Sequence, residues 1–174
     1  MSAIDLTILG MILDRPRSAY DIQKDVEDRH FSRWTKISTP SIYRRVIQLA
    51  EKGYLQSAVV KGEKAADKTA YFITKEGRAH FERLMRDSVS QEISLRFDFN
   101  VVIANLNKME KQQALALLAQ LRGSIAASAK ANRELAATYA GLPPAGRTVF
   151  DQQRLLCDAL LKWLDAFESE FRAN

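Results

Sequence analysis

Seven cations stand between residues 29 and 61, namely Arg29, Arg33, Lys36, Arg44, Arg45, Lys52 and Lys61, against Glu51 alone, a net charge of +6. Within this span Ser41, Arg44, Arg45, Gln48 and Lys52 recur at i, i+3, i+4, i+7 and i+11, the spacing of one helical face. Such a face is equipped to recognise anions and hydrogen-bonding edges. A guanidinium forks onto two acceptors at once, on a phosphate or on a guanine edge. A hydroxyl at a helix start, beside unsatisfied backbone N–H groups, holds a phosphate. Catalysis is poorly supplied by comparison. The chain has only two histidines, His30 and His80, and one cysteine, Cys157, which all but excludes a Cys/His zinc site and excludes an internal disulfide. Cys157 follows Leu155-Leu156 and reads as a buried structural thiol. No Walker loop or GxGxxG is present, and no nucleophile has an evident base and orienting group. The expectation is a non-enzyme with no metal or cofactor.

The elements that position this face belong to an ordinary globular chain. Its 174 residues are 47% hydrophobic and 27% charged, with a net charge of +5. No stretch approaches the roughly 18–20 apolar residues of a membrane span. Met1–Leu13 carries Asp5 and has no basic start, so no secretory signal is expected. The lone cysteine fits a reducing, cytoplasmic setting. Divided after Asp87, residues 1–87 hold 16 basic and 12 acidic side chains, and residues 88–174 hold 10 and 9. The excess charge therefore lies in the first part, read as a DNA-binding domain over 1–87, ahead of a nearly neutral domain over 88–174.

The first part reads as three helices, a hairpin and a helix. Ser2 with Asp5, and Ser18 with Asp21, are capping-box starts. Thr39-Pro40 predicts the start of the third helix, with Thr39 as N-cap and Pro40 as first helical residue. Ile42, Val46, Leu49 and Ala50 form its buried stripe, and Gly53 ends it. Tyr54–Val60 and Thr69–Ile73 have strand composition, and Thr74 caps the next helix. Three helices followed by a hairpin predict a winged helix-turn-helix, whose third helix enters the DNA major groove. Lys61, Lys64 and Lys68 flank or lie in the hairpin connection and are expected to meet the DNA backbone as point charges.

The residues Ile8-Leu9-Gly10-Met11-Ile12-Leu13, Ala19-Tyr20-Asp21-Ile22, Ser38-Thr39-Pro40-Ser41-Ile42-Tyr43-Arg44-Arg45-Val46 and Tyr71-Phe72-Ile73-Thr74-Lys75-Glu76-Gly77 resemble PadR-type transcriptional regulators. The resemblance covers about residues 4–87. It implies a dimeric, cytoplasmic winged-helix regulator, usually a repressor that a small molecule releases from DNA. It places Tyr20 and Tyr43 where the family has DNA-facing or structural tyrosines, and Ser41 and Arg44 at the start of the recognition helix, after Ser38 and Thr39. The family's Gly before Ser-Ile-Tyr is Pro40 here, and its Gly-Arg-Pro-Arg-like wing is Glu63–Lys68.

The second part predicts helices over about 108–141 and 147–172, separated by Gly141-Leu142-Pro143-Pro144, with Asn107 and Glu110 as a cap signal. Leu156, Leu160, Trp163, Leu164, Phe167 and Phe171 give the last helix more apolar surface than so small a chain can bury alone, which predicts a homodimer interface. Phe97, Phe99 and Trp163 are candidates for an effector pocket between the two regions, set against plain core packing. The expected fold is mainly α. Its parts are an N-terminal winged helix-turn-helix with a two-stranded β-hairpin wing and a C-terminal helical dimerisation region. The expected partners are double-stranded DNA, a second copy of the chain and a small aromatic or apolar effector. The alternative is a winged-helix protein-interaction module that binds no DNA; it would favour acidic residues on the third helix, where only Glu51 stands.

Overall fold

The computed structural model describes residues 3–61 and 68–173. Ser2 of the first cap signal and Lys64 of the wing lie outside the described residues. The chain divides into two compact units, Met1–Ile93 and Ser94–Asn174. The division falls beyond Asp87 because the helix that crosses that residue continues to Val89.

The first unit holds α1 (Ala3–Asp14), α2 (Ala19–Asp28), α3 (Ser41–Glu51), β1 (Leu55–Val60), β2 (Lys68–Ile73) and α4 (Lys75–Val89). The α3 stripe expected from spacing, Ile42, Val46 and Leu49, meets Ile8 and Leu9 of α1 and Ile22 and Val26 of α2 in one core, each at most 2% exposed. At α2 the capping box forms: Ser18 Oγ accepts from the Asp21 N–H, and the Asp21 carboxylate accepts from the Ser18 N–H. Arg17 pairs antiparallel with Tyr71 of β2 and adds an isolated bridge beside the hairpin. Its buried guanidinium is neutralised by Asp25 and also donates to the Met11 carbonyl at 3.1 Å.

The start of α3 differs from expectation. Pro40, not Thr39, is the N-cap, and no side chain caps the helix. The Ser38 and Thr39 carbonyls accept from the N–H groups of Ser41 and Ile42 at 3.0 and 3.1 Å, so a backbone turn occupies the donors that the Thr39 hydroxyl would have taken. The end of α3 is a Schellman motif. Gly53, at φ +75°, donates to Ala50 O, and Tyr54 donates to Leu49 O. In the hairpin, Leu55 faces Ile73 and Val60 faces Lys68. Thr74 Oγ1 caps α4 by accepting from the Gly77 N–H at 2.9 Å and donates back to the Gly53 carbonyl at 2.8 Å.

The second unit holds α5 (Phe99–Ile103), α6 (Lys111–Thr138) and α7 (Pro144–Ala173). Glu110 is the N-cap of α6 without a side-chain bond, so the Asn107–Glu110 signal does not operate as a side-chain cap. The long helices run antiparallel, as Arg122 meets Asp165 and Glu168, and Asn132 donates to Phe150 O. Their core is Leu106, Ala114, Leu118, Ile125 and Leu164. Leu164, expected at a dimer interface, is 0% exposed within this unit's own core. Apolar periodicity marks a face as buried but does not say against what.

Candidate nucleic-acid interface

The buried stripe of α3 leaves Ser41, Tyr43, Arg44, Ile47 and Glu51 exposed. Among the described residues Arg44 makes no hydrogen bond or ion pair, so its guanidinium is available to a partner. Arg45 is not. Its Nε and Nη2 fork onto Asp5 of α1, with Nη2 2.6 Å from Oδ2, while Nη1 donates to Gln48 Oε1 at 2.9 Å. The Asp5 side chain is only 5% exposed and requires a cation, and the hydrogen bond to it raises the Arg45 pKa. Arg45 and Gln48 were expected on the outward face. The structure instead pairs Arg45 with Asp5, which fastens α3 to α1, and Gln48 accepts from Arg45 within α3.

The other candidates lie around α3. Tyr20 is exposed on the first turn of α2, and Ser38 is exposed in the α2–α3 connection, where Thr39 is half-buried. Lys61 is exposed just past β1. Lys68, at the start of β2, donates to Asp21 at 3.0 Å. Burial opposes ionisation of Asp21, but hydrogen bonds from Lys68 and Ser18 outweigh it and hold this carboxyl below its ordinary value. Burial pushes the Tyr71 phenol up, and the nearby Tyr43 adds to the shift. His80 stacks on Tyr54 at 4.2 Å; burial, then Arg83, lowers its pKa, and its Nδ1 is placed to accept from Arg83 at 2.7 Å.

Two features escaped the sequence reading. Arg15 and Lys24, outside the basic segment, join Lys68 in lining a groove of about 300 Å³ that also contains Asp21 and Asp25. Ile47 is 37% exposed on α3. The signal for it was available, since Ile47 falls off the spacing of Ile42, Val46 and Leu49 and sits one turn after Tyr43.

In the second unit Phe97 stacks on Phe99 at 5.2 Å, and Phe99 on Trp163 at 6.0 Å. The row continues through Phe167 to Phe171. The three effector-pocket candidates thus meet inside the second unit, where Phe99 lines a cavity of about 310 Å³ with Val102, Leu118 and Leu121. Among the described residues no cluster of three His, Cys, Asp or Glu could hold a metal ion. Burial raises the pKa of the Cys157 thiol, away from nucleophilic use.

Residues 8–83 match the family model of the transcriptional regulator PadR-like family. Over those residues the chain is similar to the PadR-like family. The matched segment carries the three helices and two-stranded hairpin of a winged helix-turn-helix, and the family it resembles is one of transcriptional regulators. Solved structures agree in fold along almost the whole length. Bacillus subtilis PadR in complex with operator DNA has a TM-score of 0.77 at 15% identity, covering 98% of this chain and 99% of that one. The PadR-like regulator BC1756 from Bacillus cereus gives 0.71 at 22% identity, covering 98% of each. The Vibrio cholerae virulence activator AphA gives 0.73 at 21%, covering 98% and 99%. No curated protein matches the sequence closely enough to count as a relative. Among the described residues no helix of the PadR-like chain is long and apolar enough to cross a membrane.

Proposed function

We propose that this PadR-like chain is a homodimeric, cytoplasmic repressor. In this reading it binds an operator through α3 and the wing and is released by a small aromatic or apolar molecule. The observation that carries the reading is the exposed guanidinium of Arg44 on the outward face of α3, without a partner among the described residues and beside exposed Ser41 and Tyr43. That set supplies a fork for a guanine edge and hydroxyls for phosphates. Tyr20, Ser38, Thr39, Lys61, Lys64 and Lys68 flank the contact, with Lys68 exchanging its exposed pairing with Asp21 for a phosphate. Arg45 acts by holding α3 against α1, with Gln48 accepting from it.

Arg44→Ala is expected to weaken operator binding about tenfold or more, the effect of losing one forked base contact, without changing fold or dimer. The measurement is a gel-shift titration on fragments selected from a genomic library. Binding of the wild type should also weaken steeply with added salt, as counterions are released from the phosphates. Unchanged affinity in the variant would remove Arg44 from the interface. Binding indifferent to salt would favour the protein-interaction module.

The dimer reading rests on α7. Leu156, Leu160, Trp163, Phe167 and Phe171 all keep part of their surface outside the unit's core, and Leu155 is 57% exposed. A second copy covering that face removes apolar surface from water. Leu155→Asp should therefore give a monomer by light scattering with unchanged helical content, because Leu155 contributes little to its own core. A dimer of wild-type stability would exclude this face.

A dimer seated across two half-sites blocks that stretch of DNA, which is repression. An effector that binds the other dimer geometry better lifts it. Bacillus subtilis PadR has been solved with p-coumaric acid, at a TM-score of 0.77 and 13% identity. In this chain the row Phe97–Phe99–Trp163, with the cavity beside Phe99, supports an aromatic effector of similar size.

A further inference from the structure

We propose that Ile47 is a specificity-determining residue of this regulator, reading the 5-methyl group of a thymine in the major groove. The inference rests on the DNA-binding role of α3 proposed above. Two of the five polar side chains expected on the outer face of α3 have partners within the protein, Arg45 on Asp5 and Gln48 on Arg45. Ile47 is what the middle of the outward face presents instead, 37% exposed and one turn beyond Tyr43 and Arg44. An aliphatic side chain has no donor or acceptor to offer a base edge. The thymine methyl is the one apolar group that unmodified B-DNA displays in the major groove, so it is the base feature Ile47 can recognise. Contact between the two withdraws both surfaces from water. A cytosine at that position removes the methyl and leaves an amino donor facing an alkyl group.

The position of the thymine follows from helix geometry. Three residues of α-helix advance about 4.5 Å, against about 3.4 Å per base-pair step, so the thymine lies about one or two base pairs from the base that Arg44 contacts.

The test replaces thymidine by deoxyuridine, which keeps every hydrogen-bonding group and deletes only the methyl. Each thymidine of a selected operator is replaced in turn, and wild-type and Ile47→Ala proteins are titrated against the series. For the wild type, replacement at one position per half-site should weaken binding about fourfold, the effect of one methyl group. Ile47→Ala should bind the parent operator about as weakly as the wild type binds that replaced operator, and should not distinguish the two. Circular dichroism checks that the variant is folded; the wild-type series stands without any variant. A wild type indifferent to deoxyuridine at every position overturns the proposal, as does an Ile47→Ala that still discriminates. Failure of both proteins to bind any duplex would instead remove the DNA-binding role itself.

Discussion

Arg45→Ala is expected to lower the stability of the first unit by about 3 kcal/mol, the low end for removing one partner of a buried ion pair. The low end applies because the Arg45 side chain is 29% exposed, whereas that of Asp5 is 5% exposed. Deleting the guanidinium leaves the Asp5 carboxylate inside α1 without its forked donor and releases Gln48 from Nη1. The urea midpoint followed by circular dichroism should fall markedly. Arg45→Lys should recover only part of the loss, since an ammonium cannot fork. Replacing both partners by apolar residues of similar volume, Asp5→Leu with Arg45→Met, should restore most of the stability, because a buried pair contributes less than breaking it costs. An unchanged midpoint in Arg45→Ala would refute the inward role. The contrast with Arg44 is diagnostic: Arg44→Ala should change DNA affinity at constant stability, and Arg45→Ala should change stability first.

Gly77→Ala should destabilise the same unit by about 2–3 kcal/mol, typical of forcing bulk into a packed site. Helix propensity predicts the opposite sign, since alanine is favoured over glycine by about 1 kcal/mol inside a helix. Space decides the outcome. A Cβ on Gly77 would stand 2.1 Å from the Tyr54 carbonyl oxygen and 2.9 Å from Ile73 Cγ1. The first contact is with backbone, so no rotamer change relieves it, and the first turn of α4 must move off the end of α3. That shift also strains the bond from the Gly77 N–H to Thr74 Oγ1. A lowered thermal midpoint is the expected result; a variant as stable as wild type would show that this junction yields easily.

The features legible in the sequence are those whose partners lie within a few residues. The Ser18–Asp21 box, the Gly53 stop and the Thr74 cap each join groups no more than five residues apart, and each formed as read. The winged helix followed because these local signals punctuate stripes of the right period. Arg45 was misread because its partner is 40 positions away on another helix, and charge spacing alone cannot distinguish a cation facing solvent from one facing a buried carboxylate. Thr39 and Glu110 show a further limit: a backbone turn displaces the start of α3 from Thr39, and Glu110 stands at the N-cap of α6 without a side-chain bond. Leu164 shows a third: both a core and an interface produce the same apolar repeat.

Thr74 joins three segments through one hydroxyl, accepting from the start of α4 and donating to the carbonyl at the end of α3, while its own N–H donates to Tyr54 O. The recognition helix and the base of the wing are therefore set relative to each other during folding, and little ordering of that junction remains to oppose binding. Compliance must then come from the duplex. In the proposed DNA complex, base pairs that neither α3 nor the wing touches would still enter the affinity, through how cheaply they bend or narrow a groove to match a rigid template, so the operator would be selected by its mechanics as well as by its letters.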